Sequence, residues 1–277
     1  MRTFTLFDIN GTEYNITTKD NAFFHSVDGL GFEREMTFQQ VDERFKKIDE
    51  LTVQKTIQGT VFFGGMNPES HYFAFAKFCK NAPLRMKYNP GHGEYYRMGY
   101  VKALGRGDGS GTSKSASVEF VCTTPWYKVV QKYNDGTASD GKVYDYAYDY
   151  NYTESTPGSV AYESDSFEDC PAKLIIHGAV SNPVWRHYVD GVLVATGKIN
   201  GSIASGRRLV VDTTVIPWSI KQFDTLGNLV SDMYQLSDFS TERFIRLSHG
   251  KNVISVTDDG VDPVTVTLEA QIEYDTV

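Results

Sequence analysis

A mainly β protein of two domains is what the sequence predicts, and three observations lead there. The chain is rich in residues that suit a pleated, half-buried surface, with 17 Tyr and 17 Phe but only 3 Trp among 277 residues. Near its end Val264, Val266, Leu268, Ala270, Ile272 and Tyr274 alternate with Thr265, Thr267, Glu269, Gln271 and Glu273. That period of two puts one face in a core and the other in water, as in an antiparallel sandwich. Asn10-Gly11 is a hairpin signal, since both residues tolerate positive φ, and Asp190-Gly191 reads as a two-residue hairpin turn between short apolar runs. The length is too great for one small β-domain and comfortable for two.

The elements follow in order. Phe4–Phe7 and Glu13–Ile16 form a hairpin around Asp8-Ile9-Asn10-Gly11. After Gly29-Leu30-Gly31-Phe32, residues 35–55 run without Gly or Pro and carry dense charge. Phe38, Val41, Phe45 and Ile48 fit a helical stripe there, and a long extended arm is the competing reading. As one extended chain this stretch would reach roughly 60–70 Å. Gly59–Gly65 is a short buried strand by composition. One helix is well marked: Asn67 caps it, Pro68 sits at N1, and Tyr72, Phe75, Ala76 and Cys79 form a core-facing stripe closed by Pro83. Leu84–Tyr88, Tyr95–Leu104 and Ser117–Cys122 are strands, with Val118, Phe120 and Cys122 on one face. Pro125 interrupts any ladder through Thr123–Tyr127, so the boundary is placed behind it, giving domains 1–128 and 129–277. Residues 129–169 are a polar lead-in. In it Tyr144, Tyr146, Tyr148, Tyr150 and Tyr152 would share one face of an extended strand. Leu174–Ile176, Tyr188-Val189, Val192-Leu193, Leu209–Val211 and Val253–Val256 supply the second domain's strands.

Composition and motifs exclude more than they assign. Lys and Arg number 27 against 35 Asp and Glu, a net charge of −8, which lacks the basic footprint of general nucleic-acid binding. The first residues hold no apolar signal region and no stretch is long enough to span a bilayer, so a soluble chain made in a cytoplasm and not associated with membrane is expected. In that setting the N-x-[ST] matches at Asn15, Asn151 and Asn200 read as chance. Cys79, Cys122 and Cys170 are odd in number and without C-x-x-C spacing, so buried thiols are expected rather than disulfides or a metal. The six histidines show no ligand spacing, and the chain has no nucleophile elbow and no phosphate-binding loop. Gly107–Gly111 places glycine where a catalytic serine would stand, and Arg106-Gly107-Asp108 is a chance tripeptide in a loop. Asp258-Asp259 and Glu168-Asp169 sit in turn contexts that explain them without hydrolysis. No enzyme activity, cofactor or metal is expected. The tyrosine strip has two readings: stacking on sugar rings, or packing against its own domain or a neighbouring subunit.

An ordered set of segments resembles the distal tail proteins of long-tailed, non-contractile phages. It comprises Leu6–Gly11 with Tyr14, Gly29–Phe32, the Gly59 strand and its aromatic helix, Thr123–Tyr127, Asn182-Pro183, and Arg243–Ile245 leading to Gly250–Asn252. The resemblance implies a first domain like a tail-tube subunit, a β-sandwich or barrel with one helix, and a second domain that is a galectin-like β-sandwich. It further implies a homohexameric ring, possibly stacked, joining the tail tube protein to the tail-tip hub protein and carrying a receptor-binding protein, with DNA passing through without specific binding. The place of such a protein is the virion tail tip. Residues 35–55 then fit an arm laid across a neighbouring subunit, with Glu35, Phe38, Arg44, Phe45, Lys47 and Ile48 as its candidate contacts. The galactoside set of true galectins, an H-x-N-x-R strand with a nearby Trp, is not matched at His177 or His187. Tyr144, Tyr146, Tyr148 and Trp185 are candidate saccharide or partner contacts, and Trp218 is available as a second platform. A carbohydrate-binding module is the competing function, and an accessory domain of a secreted glycosidase a third.

Overall fold

The computed structural model describes residues 2–18, 21–107, 109–110, 112–134, 158–166, 168–260 and 263–277. Among them, secondary structure is mainly β, with a single α-helix, as the composition predicts. The chain forms two compact units: Met1–Lys128 with Tyr274–Val277, and Val129–Glu273.

The first unit is a closed barrel. Its strands follow one another in the order Thr3–Phe7, Leu84–Asn89, Tyr95–Leu104, Ser113–Cys122, Thr56–Phe63 and Ala22–Asp28, each antiparallel to the next. The bent segment 13–18 closes the circle. Glu13–Asn15 pairs with Thr3–Phe7, and Thr17-Thr18 pairs with Ala22–Asp28. At the bend Ile16 N–H donates to Phe4 O at 3.2 Å while Ile16 O accepts from Phe24 N–H at 2.8 Å. Closure of this kind removes the free strand edges that an open sheet would present. The hairpin at its start is fixed by Asp8, whose Oδ1 accepts from the backbone of Asn10 at 2.9 Å and of Thr12 at 2.7 Å, with Gly11 at φ 79°.

The helix, Pro68–Phe78, begins as its sequence predicts. Asn67 Oδ1 accepts from Ser70 N–H at 3.1 Å and Pro68 stands where its missing donor costs nothing. Its buried stripe is Tyr72, Phe75 and Phe78; Ala76 and Cys79 are only half covered. Phe75 lies 5.7 Å from Phe63 and 5.2 Å from Tyr14, so the helix shares the barrel's core. Burying three such rings contributes about 1.5–3 kcal/mol each.

In the second unit one sheet runs Leu229–Asp232, Ser219–Phe223, Arg208–Asp212, Cys170–His177 and Val266–Tyr274, next to the strand Trp126–Asn134 that enters from the first unit. The other runs Ser159–Ser164, Gly250–Thr257, Val184–Val189 and Val192–Lys198. Val266, Leu268, Ala270 and Ile272 are buried, on the face the alternation predicts. Asp190 and Gly191 make the predicted turn at φ 48° and 83°. The three cysteines are free thiols, and burial pushes Cys79 up to about 12. Glu273 is partly buried, and that burial pushes its carboxyl up to about 7, with Arg246 opposing the rise and Glu168 adding to it.

Candidate assembly surfaces

Residues 34–52 are neither a helix nor one long extended chain. They fold back as a hairpin of Arg34–Val41 and Arg44–Thr52, a two-stranded ribbon that among the described residues pairs with no other strand. Asp42 makes the turn at φ 53°, a conformation its short polar side chain tolerates, and Gln40 Nε2 donates to Asp42 O at 2.9 Å. Folding back halves the reach: eight or nine residues per strand extend about 26–30 Å, not the 60–70 Å of a single chain.

The register sorts the side chains. Phe38 opposes Lys47 and Gln40 opposes Phe45, while Met36 opposes Glu50 and Arg34 opposes Thr52. Opposed residues share a face, so Met36, Phe38, Phe45 and Lys47 lie together, and Arg34 and Glu50 lie at the base of that face. Glu35, Thr37, Gln39, Val41, Arg44, Lys46, Asp49 and Leu51 take the other. Ile48 has no opposite number, because the register shifts by one between Thr37 and Phe38. Of the six predicted arm contacts, the structure therefore joins Phe38, Phe45 and Lys47, puts Glu35 and Arg44 behind them, and leaves Ile48 in a bulge. Met36 is the member of this face that the helical reading missed; the alternation from Arg34 to Gln40 is the signal for it.

The apolar face is uncovered: Phe45 is 71%, Phe38 53% and Met36 43% exposed. The base of the arm is held by charge. Arg34 bonds Glu50 and Asp275 at 2.6 Å each, and Lys47 also bonds Glu50. These bonds, Lys47 before Arg34, hold the Glu50 carboxyl below the usual range, and Asp275 and Glu50 hold Arg34 above its own. The Arg34 guanidinium lies 5.5 Å from the Phe32 ring. Exposed pairs of this sort fix geometry more than they add stability.

In the second unit the predicted contacts divide. Tyr144, Tyr146 and Tyr148 lie outside the described residues. Trp185 is fully buried and is not a platform: Nε1 donates to Arg243 O at 2.8 Å, and its ring packs on Gly197, where a Cβ would come within 2.1 Å. Trp218 is exposed. His187, which the galectin pattern would send to a ligand, is buried and shares a hydrogen bond of 3.0 Å with Asn252. Asp258 and Asp259 hold Ser181 N–H and the Asn182 side chain, which is turn chemistry. Arg106 bonds Glu69 at 2.9 Å.

Comparison with known proteins adds the following. Residues 3–123 match the family model described as distal tail protein, N-terminal domain. A chain of the phage P2 baseplate in its activated conformation with calcium superposes with a TM-score of 0.67 at 14% identity, over 100% of both chains. The Dit protein (gp 19.1) of phage SPP1, described as a paradigm of the hub adsorption apparatus in phages infecting Gram-positive hosts, superposes at 0.61 and 12% identity, over 96% of this chain and 98% of that one. At such identities the likeness is one of fold. No curated protein matches by sequence.

Proposed function

The chain belongs, through its first domain, to the distal tail protein family, and from that premise we propose that it is a ring-forming structural subunit of a phage tail. In this reading six copies close a ring between the tail tube protein and the tail-tip hub protein. The second domain, residues 129–273, is a galectin-like sandwich that serves as the platform for receptor-binding proteins. The observation that carries the reading is the arm. An isolated two-stranded ribbon is marginal in water, and this one displays two phenylalanines and a methionine on a single face. A second copy of the chain is the natural cover, since head-to-tail contacts repeated around a rotation axis bury every arm and leave none over. The closed barrel supports the same view, because it offers no long open edge for strand-to-strand fibre growth. Closure follows from the physics, whereas the number six comes with the family resemblance. A net charge of −8 per chain suits a channel through which DNA passes without sticking.

The test is light scattering with negative-stain imaging of the full chain at tens of micromolar, alone and with its tail-hub partner. A variant in which a Gly-Ser turn replaces residues 35–51 is run beside it. Rings that disappear in the variant are the expected result. A monomer under every condition refutes the ring, and rings that survive the deletion refute the arm as the joint.

A further inference from the structure

Three tryptophans are present, and Trp126 and Trp185 are fully buried; only Trp218 is open to solvent, at 41%. It precedes the strand Ser219–Phe223 and follows the apolar loop Val215-Ile216-Pro217, whose Ile216 is 97% exposed. These residues line a cleft of about 300 Å³ together with Lys221, Asp232 and Tyr234.

The cleft is built on a fixed row of rings. Phe244 lies 5.2 Å from Trp218 and 6.3 Å from Tyr234, and Tyr234 lies 5.4 Å from Phe239. The Arg243 guanidinium sits over Phe239, Tyr234 and Phe244 at 4.4, 4.9 and 5.4 Å, and its Nη2 donates to Tyr234 Oη at 2.7 Å. Trp218 and Tyr234 are therefore held before any ligand arrives, which lowers the ordering cost of binding.

Lys221 and Asp232 face each other across the edge strand Leu229–Asp232 and its neighbour Ser219–Phe223. Asp232 Oδ1 accepts from Tyr234 N–H at 2.9 Å, which orients the carboxylate. Among the described residues neither Lys221 nor Asp232 is tied up in an ion pair. The cleft thus offers an aromatic face, an ammonium donor and a carboxylate acceptor, with no net charge between them. A charged peptide or a phosphate would find one partner and one repeller. A sugar ring fits both halves: its C–H face stacks on an indole, and its hydroxyls donate to a carboxylate and accept from an amine. The volume stands at the small end of ligand clefts, which run from roughly 300 to 1,000 Å³.

We propose that this cleft binds an uncharged oligosaccharide through one or two hexose rings, with Trp218 as the stacking platform and Asp232 and Lys221 as hydroxyl ligands. The cleft is formed by residues of the second unit alone and the arm by residues of the first, so its test and that of ring assembly fail independently. The full chain is titrated with di- and trisaccharides of glucose, galactose, rhamnose and N-acetylglucosamine, up to millimolar concentration. Intrinsic tryptophan emission is followed, and Trp218 is its only solvent-exposed source. Calorimetry repeats the measurement for Trp218→Ala and Asp232→Asn, and thermal melting checks that both variants keep the wild-type fold. The expected result is a saturable change with at least one sugar, weakened about tenfold or more in each variant. No saturation with any of the sugars overturns the proposal, as does binding that persists undiminished in both variants. Shielding of Trp218 from acrylamide by a tail protein, but by no sugar, overturns it in favour of protein docking.

Discussion

Replacing Phe38 and Phe45 together by serine separates assembly from folding. A phenylalanine presents about 200 Å², so exposures of 53% and 71% leave about 105 and 140 Å² open on one face of the arm. At about 25 cal/mol per Å², covering that surface is worth at most about 6 kcal/mol per joint. Ordering of side chains and imperfect fit remove part of this; a loss of about 3 kcal/mol remains, more than a hundredfold in the association constant of each joint. The fold of the single subunit should be indifferent, because neither ring is buried within the chain and surface changes of this type stay within about 0.5 kcal/mol. Sedimentation velocity of the full chain reads the first quantity and thermal melting the second. Expected are a shift from ring to monomer at unchanged melting temperature. Gln39→Ser with Lys46→Ser, on the opposite face by the hairpin register, should leave the ring intact. The reasoning is refuted if rings persist in the phenylalanine variant, if the two faces respond alike, or if melting collapses.

Other perturbations probe the second unit. Glu273, raised to about 7 from 4.5, binds its proton more tightly when folded. Its presence therefore costs nothing below about pH 4.5 and costs progressively more as pH rises to about 7, reaching about 1–2 kcal/mol after allowance for its partial exposure. Glu273→Gln should accordingly raise the melting temperature at pH 8 and not at pH 4.5, and an equal gain at both would refute the assignment. Gly197→Ala places a carbon within 2.1 Å of the Trp185 ring; the loss should be about 1–3 kcal/mol, a fall of about 2–12 °C for a unit this size, and an unchanged melting curve would count against that packing. Residues 129–273, expressed alone, should unfold in one cooperative transition, since their buried alternating strands make their own core; an aggregated product without a transition would overturn this.

What the sequence disclosed, and what it hid, follows from where each pattern is satisfied. The Asn67-Pro68 start and the Asp190-Gly191 turn are local chemistry, complete within a few residues, and the structure reproduces them; at Asn10-Gly11 it keeps the hairpin but closes it with a longer loop, 8–12, in which Gly11 alone takes positive φ. The alternation from Val266 to Ile272 records a core its own domain supplies. Trp185 and Trp218 look alike in composition. Their fates differ because Gly197 makes room for one ring in the interior, while Phe244 backs the other at the surface, and both are long-range facts. The arm was ambiguous for a different reason. Phe38, Val41, Phe45 and Ile48 keep a helical spacing, yet the hairpin puts Phe38 and Phe45 on one face, Val41 on the other and Ile48 in a bulge. No core within the chain disciplines that stretch, since every side chain of the apolar face points to solvent. Hydrophobic patterning reports what must be covered and not what covers it, so a surface meant for another subunit is the place where reading one chain falls short. In the function proposed above, the arm's uncovered face, rather than the well-predicted core, is the part of this molecule that does the joining.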